Sequence, residues 1–166
     1  MRDEGARLLA LRAACLCALA FVACLRAPAM AGEAPQDKPV AVASNRQMQA
    51  LEAAMAPYIA QARASWPGAK ARFLAGLPAG QRLFATMRLE DADGRVEQVF
   101  VFVRGIRDGR IEGRIASEIS TVQGYRAGDA VSFDESLLRD WTISHPDGVE
   151  EGNAVGKFLD TWTPPE

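Results

Sequence analysis

Hydrophobic and polar positions follow two periods along this chain, and the period changes once. From residue 44, the segment SNRQMQALEAAMAPYIAQARASW carries Met48, Leu51, Met55, Tyr58 and Ile59 at helical spacing, with alanine filling the gaps. Ser44 followed three residues later by Gln47 is a capping-box signature. Pro57 is expected to kink this run or to open a second helix, and Pro67-Gly68 to end it. A shorter helix over 69–75, closed by Gly76 and Pro78, would follow. After Gly80 the period becomes two. RLFATMRL puts Leu83, Ala85, Met87 and Leu89 on one face and Arg82, Phe84, Thr86 and Arg88 on the other. Past the EDADG turn, RVEQVFVFVRGI is the strongest strand signal, with Val99, Val101 and Val103 facing one way and Phe100 and Phe102 the other. A strand apolar on both faces calls for cover on both, and the N-terminal helix is the obvious cover for one. A hairpin register that pairs Met87 with Gln98 and Ala85 with Phe100 also sets Arg88 opposite Glu97.

Further on, Asp108-Gly109 is a strong hairpin signal. RIEGRIAS returns from it with Ile111 and Ile115 inward, Arg110, Glu112 and Arg114 outward, and an expected bulge at Gly113. Residues 119–128 form another turn, AVSF a short strand, DESLLRD a helical or tight turn, and WTIS a strand. His145 to Gly148 is a surface turn, and the tail adds a final strand around 154–159. The fold class is therefore α+β: an N-terminal helix or kinked helical hairpin packed on a small, curled antiparallel β-sheet or half-barrel.

The ends change the picture. Arg2, Arg7 and Arg12 precede the uncharged run AACLCALAFVACL, and Ala29-Met30-Ala31 supplies the small residues of a cleavage site. Residues 1–31 read as a secretory signal cut after Ala31, which implies a periplasmic or secreted protein. The apolar run is shorter than the ~20 residues that span a bilayer, so no membrane association is expected after cleavage. Lipidation at Cys24, within FVAC, is the weaker alternative. Residues 32–43, with two prolines and no periodicity, read as a flexible linker, and 44–162 as one domain. All three cysteines, Cys15, Cys17 and Cys24, fall inside the signal, so the mature domain has neither disulfide nor thiolate chemistry. Cleavage removes four arginines and two acids from totals of 19 basic and 21 acidic residues; it leaves 15 and 19, a net charge of −4. Mild acidity argues against nucleic acid as a partner.

Candidate chemistry is sparse. His145 is the only histidine, and the adjacent Ser144 would point to the opposite face of a strand, so a Ser-His relay with Asp140 is disfavoured. Glu90, Asp91 and Asp93 read as a solvated hairpin turn, and with one His and no Cys no metal or cofactor is expected. Gln98, beside Glu97 in the strongest strand, is either a structurally bonded amide or part of a small polar pocket with Ser117 and Trp141. The arginines at 104, 107, 110, 114 and 126 interleave with acids, which suggests a paired, solvated face; an acidic protein or polyanionic envelope polymer is the sharper reading.

Asp93-Gly94 ahead of VEQVFVFV, GRIASE at 113–118, GDAVSF at 128–133, LLRDW at 137–141 and the segment from Gly152 to Lys157 resemble, in order and spacing, the DUF2314 (YegJ-like) family. The likeness runs from about Ala62 to Thr161. It implies a fold and no reaction, because the family has no assigned activity. Gln98 stands where that family often has His, Phe100 where it has Trp, and Ser117 where it has Asn. In that frame Asp140 caps a turn and Trp141 plugs the barrel end. Glu97, Gln98, Ser117, Asp140 and Trp141 are therefore the candidate binding residues, with no catalytic residue assigned. The expected function is an exported, non-enzymatic binding or interaction module with an unidentified protein or envelope polymer as partner. The alternatives are a small envelope hydrolase or accessory using paired carboxylates, and an immunity-type inhibitor of a toxin.

Overall fold

The computed structural model describes residues 31–36 and 44–164, so the expected signal up to residue 30, with Cys24, lies outside the described residues. One helix, α1 (Asn45–Ala75), opens the domain, and the Ser44 hydroxyl caps it by accepting from Gln47 N at 3.2 Å. Neither proline ends it, so of the single helix and the kinked hairpin expected from the sequence the single helix is found, without the stop expected at Pro67-Gly68. A proline in a helix interior costs about 3 kcal/mol, but Pro57 and Pro67 both lie on the exposed side. The carbonyls they leave unbonded therefore face water. The buried face, Leu51, Met55, Ala62, Trp66 and Ala69, runs past both prolines and holds the helix in one piece. Gly76, at φ +95°, terminates it.

Six strands follow: β1 (Arg82–Glu90), β2 (Val96–Arg107), β3 (Arg110–Ile115), β4 (Ala130–Asp134), β5 (Asp140–Ser144) and β6 (Glu150–Gly152). They form one antiparallel sheet in the order β4-β3-β2-β1-β5-β6, open at both edges. The fold is thus α+β with an unclosed sheet. The first hairpin differs from the expected register by one residue: Met87 lies opposite Val99, Ala85 opposite Val101 and Arg88 opposite Gln98. The Asp91 carboxylate accounts for the shift. It accepts from Asp93 N and Arg95 N, both at 3.0 Å, and so holds a five-residue loop before pairing starts at Glu90 and Val96. A one-residue slip exchanges the faces of a whole strand. The observed register puts Leu83, Ala85 and Leu89 against Val99, Val101 and Val103, all buried in the core beneath the second half of α1.

The bulge expected at Gly113 falls across the ladder instead. The pairing shifts between Val103 and Gly105, so Arg104 is the extra residue. Gly113 serves close approach, because a Cβ there would lie 2.3 Å from the Phe102 carbonyl oxygen. The tail also differs: residues 154–159 form a short helix, α2 (Ala154–Leu159), and not a strand. Gly152 and Asn153, at φ +77° and +53°, turn the chain out of β6, and Val155 and Leu159 then bury against Leu51 and Met55 in a second core. Tyr58 stacks on Phe158 there, with ring centroids 4.5 Å apart.

β5 is buried along its whole length. Trp141 and Ile143 face α1, which leaves Asp140, Thr142 and Ser144 on the far face. Gly32 closes over Ser144: its N–H donates to Gly80 O at 2.7 Å, and a Cβ on it would lie 2.6 Å from Ser144 O. Residues 32–36 therefore pack on the domain where a flexible linker over 32–43 was expected; residues 37–43 lie outside the described residues.

On this far face the hydroxyls of Thr86, Thr142 and Ser144 are buried without a partner among the described residues. A buried, unbonded hydroxyl costs free energy that an isosteric methyl does not. Thr142→Val is expected to raise stability by about 1 kcal/mol in urea unfolding. A loss of stability would show that the hydroxyl is bonded in solution.

Candidate functional site

The five residues singled out from the sequence do not converge. Glu97, on the α1 side of β2, is a clasp for the loop before β4: its carboxylate accepts from Ser120 N at 2.9 Å, Thr121 N at 2.7 Å and Val122 N at 3.1 Å. Burial works to raise this carboxyl, and the loop donors outweigh it, so it lies below the usual glutamate range. Gln98, on the opposite face, accepts from Arg139 Nε at 2.9 Å, and Arg139 in turn donates to Glu52 of α1 at 2.8 Å. The Ser117 hydroxyl accepts from Phe100 N at 2.8 Å. Asp140 accepts from Trp141 N at 2.7 Å and from Val155 N at 2.6 Å, which ties β5 to the start of α2. Trp141 Nε1 donates to Ala62 O and Ser65 Oγ of α1. Each of the five thus holds one element to another, and the described clefts do not bring Gln98, Ser117 and Trp141 together in a pocket.

His145 follows β5 beside an open cleft of about 360 Å³ lined by Glu33, Gln36, Ser144 and Glu150. Its ring nitrogens are engaged, Nδ1 with Gln81 Nε2 at 3.2 Å and Nε2 with Glu151 at 2.7 Å. The Ser144 hydroxyl has no hydrogen-bond partner among the described residues, so it forms no relay with His145. Glu150 accepts from Asn153 Nδ2 at 3.0 Å. Among the described residues no group of three or more His, Cys, Asp or Glu side chains is placed to hold a metal ion.

The far face from Phe102 across β3 and β4 is different, because no described helix covers it. Phe102 is half-buried there, and the Arg82 and Arg104 guanidinium carbons each stand 5.3 Å from its ring centroid. Arg114 lies directly opposite Phe102 on β3 and donates to Gly128 O at 2.8 Å. Strand alternation adds Arg107, Arg110, Glu112 and Asp134 to the same face. Arg107 pairs with Glu112 at 2.9 Å, and Arg110 lowers the Asp134 carboxyl, after the Ser136 hydrogen bonds that lower it most. Among the described residues Arg82, Arg104 and Arg114 have no carboxylate partner. Beside them is an open depression of about 510 Å³ lined by Arg104, Arg114, Glu112, Ala130, Val131 and Ser132. Of these arginines, 104, 107, 110 and 114 were legible as a basic stretch. Arg82 was not, because it joins the group only through the pairing of β1 with β2. Arg126 is separate, paired with Asp129 at 3.2 Å.

The segments on which the family resemblance rests fall on the first hairpin turn, on β2 to β5, and on the passage from β6 into α2. Compared with family models, with curated proteins and with solved structures, the chain matches none. The class that fold and site define is an α+β domain with one sheet face covered by a helix and half of the other face open and rich in arginine.

Two carboxylates on the opposite side set the acid behaviour. Arg72 bonds Glu151 through both guanidinium nitrogens; this bond, against a burial penalty and with help from His145, holds the Glu151 carboxyl down at about 2. Asp91 is also held at about 2, first by Gln123 N and then, against burial, by Arg95. A carboxyl lowered by folding contributes stability above its unfolded value, and this is lost as pH falls towards the folded value. The window for Glu151 runs from 4.5 down to about 2. Glu151→Gln is expected to lower Tm at pH 6 and to flatten, without abolishing, the fall of Tm across that window. An unchanged acid slope would show that the Arg72–Glu151 pair does not persist in solution.

Proposed function

We propose that this chain is an exported binding module whose open sheet face docks an acidic partner. The observation that carries the reading is the group of three arginines around Phe102 that no carboxylate among the described residues neutralises. Guanidinium groups form strong, two-pronged hydrogen bonds to carboxylate and phosphate, and their planar faces rest on aromatic rings. Five other arginines, Arg72, Arg95, Arg107, Arg126 and Arg139, all pair with acids. A face that leaves cations unpaired departs from that habit. Export rests on the charged start, apolar core and Ala-x-Ala end of residues 1–31. The DUF2314 resemblance adds an expectation of fold to this reading and nothing about a ligand.

The test is titration of fluorescent poly-L-glutamate with the chain from Gly32 onward. Binding is expected at low ionic strength and should weaken progressively as salt rises from about 0.05 to about 1 M, where the screening length falls to about 3 Å. No binding at the lowest salt, or binding indifferent to salt, would sink the proposal.

A further inference from the structure

We infer that Arg82, Phe102 and Arg104 form an anion clamp whose occupant is a carboxylate of an acidic polypeptide that carries apolar side chains beside its acids. This deepens the acidic-partner reading and rests on it.

Phe84 faces Phe102 across β1 and β2. Arg82 lies two residues before Phe84 and Arg104 two after Phe102, so the register sets the two arginines side by side. Like charges at facing positions of an antiparallel pair destabilise it. Elsewhere on this face the protein avoids that problem: Arg107, opposite Arg110, pairs with Glu112, and Arg110 donates to Ser132 Oγ and O. Between Arg82 and Arg104 no such relief is built. Instead, the bulge places Arg104 outside the regular pairing, and bulges re-aim side chains. Arg104 and Arg82 then both lie at 5.3 Å from one ring. Two cations at a single aromatic ring make a stable arrangement once an anion bridges them, and a carboxylate has the two oxygens to do so. Arg114, across the ring on β3, keeps the guanidinium nitrogens that do not serve Gly128 O for a second acid.

The surroundings favour a polypeptide over a bare polyanion. The ring of Phe102, with Ala130 and Val131 in the adjoining depression, offers apolar surface that a polyphosphate chain cannot use. Glu112 and Asp134 interrupt the positive field, and a densely charged polymer laid across the face would meet both. A peptide with spaced acids can pass them.

The experiment compares three probes of equal charge, a peptide of alternating glutamate and leucine, poly-L-glutamate and inorganic polyphosphate, against four proteins. These are the wild type, R82A/R104A, the charge-matched control R107A/R110A, and F102L. The alternating peptide is expected to bind wild type tightest. R82A/R104A should lose about tenfold or more in affinity for it, the control no more than about threefold, and F102L an intermediate amount. Peptide should raise the Tm of wild type but not of R82A/R104A, while the free double variant should melt no lower than wild type, because it relieves a repulsion. Equal losses in the two double variants would overturn the clamp and leave the acidic-partner reading standing. Polyphosphate binding more tightly than peptide would overturn the choice of a polypeptide. Failure of wild type to bind any probe would remove the acidic-partner reading, and the clamp with it.

Discussion

A single helix can cover one face of a sheet, and the strands of this sheet are apolar on two. That mismatch governs the architecture. Trp66, Ala69 and Phe73 of α1 seal the valine face of β1 and β2. The other face has to be closed with smaller pieces. α2 reaches β5 through Val155 N and Asp140, and Gly32 reaches it against Ser144. Phe84 and Thr86 on β1 and Phe100 on β2 are buried on this face as well. Phe84, on β1, is buried, while Phe102, its neighbour on β2, is only partly so. The boundary of burial therefore passes between Phe84 and Phe102 across the strands and between Phe100 and Phe102 along β2, and the arginines gather where the cover stops.

That boundary explains what the sequence could and could not reveal. The alternation from Arg82 to Leu89 and from Val99 to Val103 identified strands, faces and core correctly, because burial on one side imposes a period of two whatever covers it. The register did not follow from the same pattern. It depends on the hydrogen bonds of one turn carboxylate, Asp91, and a four- or five-residue loop fits the sequence equally well. The length of α1 was misread for a related reason. Proline is a strong local breaker, but the burial of Met55, Ala62 and Trp66 is a tertiary effect that local rules do not contain. Helix α2 was hidden because Ala154 to Leu159 is short and its apolar positions suit either element.

The candidate site residues show the same limit from the side of chemistry. Glu97, Gln98, Asp140 and Trp141 were conspicuous because they interrupt apolar strands with polar groups. In the structure each is saturated by a bond to another element: a loop, Arg139, α2 and α1. A polar residue in a strand must be bonded wherever it is buried, so conspicuousness there marks architecture as readily as function. The opposite signal, charge left without a partner on an open face, cannot be seen along the chain. It exists only as a relation between strands, as between Arg82 on β1 and Arg104 on β2.

The sign of the whole molecule bears on what such a face can recognise. The chain carries a formal net charge of −2, yet its uncovered sheet is positive. At a distance the field of the protein is mildly repulsive to any anion, and only within about a screening length, ~10 Å at 0.1 M salt, do the arginines dominate. A long, uniformly charged polymer meets both regions at once and gains little. A short acidic segment that enters between Arg82 and Arg104 meets only the second, and adds contact with the exposed part of the Phe102 ring. On the proposed reading, selectivity for a compact acidic motif rests on gathering unpaired arginines on a part of an acidic domain that no described helix covers.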